Sequence, residues 1–174
     1  MKTEELLIQV DENDKEIGLI EKMEAHYKGI LHRAVSVFVV NSNGEWILQQ
    51  RAFSKYHSAG LWTNTCCTHP MQGESNYDAA RRRLMEEMGL EVSEITKVFD
   101  FIYKEQLAEK LFEHEIDHIF IAYTDALPII NKNEVNNWKA IDYNTLMHEI
   151  DKHPEQFTVW FKLIVKQVGT YLNL

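Results

Sequence analysis

The chain has 174 residues, 45% hydrophobic and 26% charged, the size and composition of one globular domain with its own core. Eighteen Lys and Arg against 27 Asp and Glu leave a formal charge of −9, which excludes the basic surplus that a nucleic-acid surface needs. Seven Gly and three Pro are too few for a linker-rich or disordered chain. The densest apolar run, Ala34 to Val40, is broken by Ser36 and too short to span a membrane. The N-terminal stretch is acidic and strand-like, unlike a charged-then-apolar leader. Cys66 and Cys67 are neighbours that cannot readily bridge to each other, so free thiols and a cytoplasmic setting are expected.

In chain order, Leu6 to Val10 is predicted as a strand closed by the turn-rich Asp11–Asp14. Ala34 to Val40 is a β-branched strand, Asn41 to Gly44 supplies hairpin residues, and Trp46 to Gln50 returns as its partner. Residues 52–73 show no period, yet hold His57, Trp62, both cysteines and His69. Long irregular segments in compact domains are commonly functional. Ser75 can cap a helix to Met88 that Gly89 ends, with Tyr77, Ala80, Leu84 and Met88 as its buried stripe. Strands follow near Val98–Tyr103, Phe112–Tyr123 and Trp138–Ile141. Asp142 caps a short helix, and Pro154 is expected to open a last one whose stripe runs Phe157, Trp160, Phe161, Ile164, Val165 and Val168. With no internal repeat, the expectation is one domain over residues 1–174, of α+β (mixed α/β) class.

Five groups of residues could carry chemistry. Residues 82–90, RRLMEEMGL, with Glu74 eight residues before Arg82, resemble the nudix box G-x5-E-x7-R-E-U-x-E-E-x-G-U, where U is aliphatic. Thr68 stands at its first Gly, and Arg83 replaces the Glu after Arg82. Glutamates on one helix can hold Mg²⁺ with positions left for phosphate oxygens. The plain alternative is a solvated face with an Arg83–Glu87 pair. His26, His32 and His69 form the second group, with Glu113, Glu115 and Asp117, which on a strand share one face about 7 Å apart per step. Imidazoles with carboxylates suit Mg²⁺, Mn²⁺ or Zn²⁺. His114 and His118 fall on the opposite face and read as ordinary histidines.

The third group is WTNTCCTHP, residues 62–70, where a thiol beside a histidine can serve as nucleophile or acid/base. If the segment is extended, Cys66 and Cys67 point oppositely, so at most one faces a cavity. Lys22, Arg51, Lys55 and Arg83 are candidate phosphate partners, though each alone reads as surface charge. Trp160 lies on a buried helical stripe, where core packing is the default; its ring could instead line a pocket and stabilise a cation.

The segments HYKGILHRAVSVF (26–38), QRAFSK (50–55), WTNTCCTHP (62–70), GES (73–75), RRLMEEMGL (82–90), EHEIDHIF (113–120) and FTVWF (157–161) together resemble type 1 isopentenyl-diphosphate isomerase, a nudix-fold family, over almost the whole chain. The resemblance implies a nudix-like mixed sheet flanked by helices. It implies His26, His32, His69, Glu113 and Glu115 as ligands of a divalent metal, and Cys67 and Glu115 as the acid/base pair. Tyr103 falls at the family's active-site tyrosine, and Trp160 at the ring facing the cationic centre. Glu87 matches the ligand of a second Mg²⁺ that arrives with the substrate diphosphate, contacted by Lys22, Arg51, Lys55 and Arg83. Thr68, at a position often Gly, and the extra thiol of Cys66 depart from the pattern.

The implied reaction moves a double bond from C3–C4 to C2–C3, turning isopentenyl into dimethylallyl diphosphate. Protonation at C4 gives a tertiary cation at C3, and loss of a proton from C2 completes the shift. The expected split has Glu115, assisted by metal and Tyr103, donate at C4 while the Cys67 thiolate accepts from C2. The partner implied is a small diphosphate, with no nucleic acid or membrane, and the expected state is a monomer or weak homodimer. The rivals are a nudix hydrolase, which would activate water on the same helix, and a binding module without catalysis.

Overall fold

The Val- and Phe-rich run beginning before Ala34 becomes the axis of the sheet. In the computed structural model, which describes residues 5–174, strand β3 (His32–Val40) is buried at every position but Arg33. A strand covered on both faces reads as a continuous apolar run, which is why it shows no alternation. It pairs in parallel with β8 (Leu111–Tyr123), and antiparallel with β1 (Leu6–Val10), β4 (Trp46–Arg51) and β6 (Cys66–Thr68). Strand β2 (Glu16–Glu21) extends the sheet beyond β1; β5 (Trp62–Thr63) and β9 (Val135–Ile141) pair with β4; β7 (Ile95–Ala108) pairs with β8. Among the described residues these nine strands form one mixed sheet.

Helices cover both faces, because β3 sends alternate residues to opposite cores. Val35, Val37 and Val39 meet Ala80, Leu84 and Met88 of the segment formed by α2 (Asn76–Arg83) and a π-helical turn (Leu84–Met88). Phe38 and Val40 face the other way, onto Phe161, Ile164 and Val165 of α4 (Val159–Tyr171) and Leu146 and Ile150 of α3 (Tyr143–Lys152). That second face is divided along its length. One end is apolar, and the other, carrying His32, Ala34 and Ser36, lines the site described below.

The expected caps form: the Ser75 side chain accepts from the Asp78 amide, that of Asp142 from the Thr145 amide. Gly89 takes the left-handed φ of 61° that ends the π turn, where an added Cβ would lie 2.6 Å from the Ile129 carbonyl oxygen. The α+β class is as expected, and no helix among the described residues is long and apolar enough to cross a membrane.

Some expectations need correction. Tyr77 is 47% exposed, so the buried stripe of α2 and its π turn is Ala80, Leu84 and Met88; the Tyr77 ring only edges onto Phe120. Pro154 opens a separate 3-10 turn (Pro154–Gln156), and α4 starts five residues later, after Thr158. The short helix α1 (Lys22–Lys28), capped by the Glu21 carboxylate, has too few turns to show a period. Residues 1–4 of the N-terminal stretch read above lie outside the described residues.

Candidate active site

Strand register assembles the centre of the site. Glu115 on β8 lies opposite His32 on β3 and opposite Tyr103 on β7, so three side chains stand in one row across three strands. Four residues further along β3, Ser36 lies opposite Cys67 on β6. The alternation of Glu113, Glu115 and Asp117 places all three on this face, and each is buried. Cys66 points the other way into the valine core while Cys67 faces the site, as their adjacency requires. His69 follows β6, and His26 comes from the last turn of α1.

His26 Nδ1 sits 2.6 Å from the Lys22 carbonyl oxygen, and His32 Nδ1 sits 2.8 Å from that of Ile30. Both therefore turn Nε2 inward, where it is buried without a hydrogen-bond partner. His69 Nε2 and His32 Nε2 lie 3.1 and 3.4 Å from Glu115 Oε1. His26, His32, His69 and Glu115 offer four ligand atoms all within 4.8 Å of one another. Orphaned, buried imidazole nitrogens around a carboxylate suit a divalent cation, so these residues fit the implied metal. Glu113 belongs to an overlapping group with His26 and His57.

Electrostatics are consistent with that fit. Burial keeps His69 neutral, its pKa lowered to about 4, and likewise lowers that of His26. Burial and then the Arg51 charge lower His57 to about 3. Burial works against the Glu115 carboxylate, but the His32 and His69 rings facing it hold its carboxyl well below the usual range. Glu113 lacks that support, and burial beside Glu115 drives it well up. The Tyr103 hydroxyl bonds to Glu115 Oε2 at 2.6 Å and reaches Glu113 Oε2 at 3.2 Å. Burial, then the Asp117 charge, pushes the Cys67 thiol up to about 12. Ser36 Oγ lies between them, donating to Asp117 Oδ2 at 2.6 Å and standing 3.6 Å from Cys67 Sγ.

A cavity of about 340 Å³ opens over this row, lined by Cys67, His69, Tyr103, Glu113, Glu115 and Trp160. All four candidate phosphate partners, Lys22, Arg51, Lys55 and Arg83, also line it, together with Glu87. Trp160, 3% exposed on the first turn of α4, presents its ring to the cavity as well as to the apolar core, and the Arg51 guanidinium lies 5.3 Å from the ring centroid. Carboxylates hold the other three cations: Lys22 pairs with Glu5, Lys55 with Glu134, and Arg83 with Glu86, Glu87 and Glu134. Glu87 completes its set with the Gln49 amide at 2.7 Å. Glu74 of the box instead braces Arg82 through two hydrogen bonds of 2.7 and 2.8 Å. Thr68 lies opposite Val35 in β6, an extended position that a β-branched residue suits.

Sequence reasoning gave no role to His57, Ser36, Gln49 or Glu134. A histidine in an aperiodic segment was the only signal for His57, and Asp117 was visible as the third member of the alternating face. His114 and His118 do prove ordinary: His114 Nδ1 meets the Gly29 carbonyl at 2.9 Å, and His118 sits between Asp14 and Asp100.

The NUDIX domain family matches residues 30–161. An isopentenyl-diphosphate Delta-isomerase of Serratia proteamaculans is 48% identical over 166 residues, covering 95% of this chain and 92% of its own. One from Pectobacterium atrosepticum is 47% identical over 165 residues, with 95% and 92% covered. Among solved structures, a Deinococcus radiodurans protein superposes with a TM-score of 0.78 at 20% identity, over 94% of this chain and 98% of its own. A MutT protein of Methanosarcina mazei gives 0.65 at 17%, over 83% and 96%; both likenesses are of fold. A nudix sheet with its box on the π-ended helix, together with these relatives across nearly the full length, places the chain: it belongs to the nudix family and, within it, to the type 1 isopentenyl-diphosphate isomerases.

Proposed function

We propose that the protein isomerises isopentenyl diphosphate to dimethylallyl diphosphate, with Cys67 and Glu115 as the proton-transfer pair. The observation that carries the site assignment is that Cys67, Glu115 and Tyr103 open into one cavity that four cationic side chains also line. An unactivated alkene is a very poor base, so the proton must be delivered in a dry pocket, where water cannot trap the cation as an alcohol. Burial of Glu115 and Tyr103, with Cys67 partly buried beside them, supports that condition. Burial favours the protonated form of the Cys67 thiol, and the facing His32 and His69 rings favour the ionised form of Glu115. Tyr103 holds the Glu115 carboxylate in place, and the Trp160 ring offers a π face to a carbocation.

His26, His32, His69 and Glu115, with Glu113 beside them, would hold the resident divalent ion, Mg²⁺, Mn²⁺ or Zn²⁺. When bound, such an ion supplies Lewis acidity at the Glu115 carboxylate. Glu87 would take a second Mg²⁺ carried in by the diphosphate, while Lys22, Arg51, Lys55 and Arg83 exchange carboxylate contacts for phosphate oxygens. The proposed catalytic unit is a monomer or weak homodimer. The free thiols of Cys66 and Cys67 fit a reducing, cytoplasmic setting. The acidic balance gives no support to nucleic-acid binding.

Proton NMR of isopentenyl diphosphate with purified protein and Mg²⁺ in D₂O tests the reading. Loss of the terminal vinyl signals with growth of deuterium-bearing dimethylallyl methyls is expected. Release of inorganic phosphate or of the monophosphate, without allylic product, would make the protein a hydrolase instead.

A further inference from the structure

The metal cluster has a fourth histidine beside it that belongs to none of the motifs carrying the family resemblance. His57 lies in the segment between β4 and β5, immediately before Ser58, whose left-handed φ of 49° turns the chain back. Its Nδ1 lies 3.3 Å from Ser58 Oγ, as His26 and His32 place theirs on the carbonyls of Lys22 and Ile30. An oxygen on one ring nitrogen, leaving the other turned inward, is how metal-ligating imidazoles are oriented. The inward Nε2 of His57 lies 3.6 Å from Glu113 Oε1, too long for a hydrogen bond. Two donors bound at about 2.1 Å to one ion can stand no more than about 4.2 Å apart, and this distance is inside that limit.

His57, Glu113 and His26 together offer ligand atoms all within 4.8 Å of one another. His26 is 1% exposed, and its Nε2 has no hydrogen-bond partner. His26 also belongs to the four-donor group, so a single ion held at His26 has both groups within reach. We propose that His57 is a further ligand of the divalent ion, binding through Nε2 alongside Glu113 and His26, so that the ion ties the β4–β5 segment to the sheet. That segment also carries Lys55, so loading the metal would hold one phosphate partner over the cavity. The inference rests on the metal reading of the cluster and not on the isomerase chemistry.

The test uses metal-stripped full-length protein titrated with Co²⁺, comparing wild type with His57→Ala and His57→Gln, each checked for folding by circular dichroism. Wild type is expected to bind one Co²⁺. Both variants should bind it about tenfold or more weakly, with shifted ligand-field bands. Metal-induced slowing of amide exchange across residues 52–61 should disappear in both. Unchanged affinity overturns the proposal. So does weaker binding with unchanged bands, because a residue that only orients Glu113 would alter affinity without changing the ligand set. Wild type that binds no Co²⁺ would overturn the metal reading itself, a result separable from the NMR assay.

Discussion

Tyr103 and Glu115 face each other across β7 and β8 and meet in a 2.6 Å hydrogen bond, while the other carboxylate oxygen of Glu115 faces His69 at 3.1 Å. The carboxylate is thus gripped at both oxygens. Tyr103→Phe removes one grip while keeping the ring packed against Phe101. It is expected to lower kcat roughly 100-fold with KM little changed, read from initial rates. A variant with wild-type kcat would show that the hydroxyl is structural only.

The two adjacent thiols should behave oppositely. Cys67→Ala and Glu115→Gln should each abolish turnover while isopentenyl diphosphate still binds, as measured by calorimetry. Cys66 is fully buried on the other face of the sheet, so Cys66→Ala should keep most of the activity and cost about 1–2 kcal/mol of stability. Full turnover in Cys67→Ala would remove the thiol from the mechanism.

Arg83 and Lys55 both line the cavity but hold partners of different burial. Glu87 is buried and depends on Arg83 and Gln49, whereas Glu134 is partly exposed. Replacing either cation by Met should raise KM. Arg83→Met should also lower stability by about 1–3 kcal/mol, because it strips a buried carboxylate of its cation. Lys55→Met should leave the melting temperature nearly unchanged. Equal effects of the two on stability would contradict this difference.

Asp117 gives a pH dependence of definite sign. Burial, and then the Glu115 charge, holds its carboxyl well above the usual value, and its Oδ1 is buried without a partner. An unfolded Asp ionises near pH 3.9, while the folded one retains its proton. From that pH up to the folded pKa, the folded state binds more protons, so this residue's contribution to stability falls as pH rises. Asp117→Asn removes that contribution. In metal-free protein, the melting temperature of the variant minus that of wild type should grow from pH 4 to pH 8. A difference flat across that range would refute the assignment.

What was legible in the sequence was local. The Asn41–Gly44 turn, the Ser75 and Asp142 caps and the Glu113–Glu115–Asp117 alternation follow from neighbours along the chain, and the structure contains all of them. The motifs also marked residues that the register of β3, β6, β7 and β8 brings together. His57 and Glu134 were not legible as site residues, because aperiodic segments carry them and tertiary packing places them. The π turn was hidden too, since Leu84 and Met88 keep the spacing of an ordinary helix.

That turn has a consequence for how the phosphate end of the cavity tolerates change in length. It ends at Met88, so the carbonyls of Glu87 and Met88 are free of the helix ladder, and the amides of Asn131 and Ile129 take them at 2.9 and 2.8 Å. The end of the box and the approach to β9 are thereby buttoned together, which is how Glu134 comes to stand beside Arg83. Deleting one residue from 84–88 could restore regular winding at little local cost. An added residue has no such slack to absorb it and would swing whatever follows by about 100° around the axis. Both buttons would then be lost, so insertions should be tolerated in the exposed loops of this fold but not in these five residues.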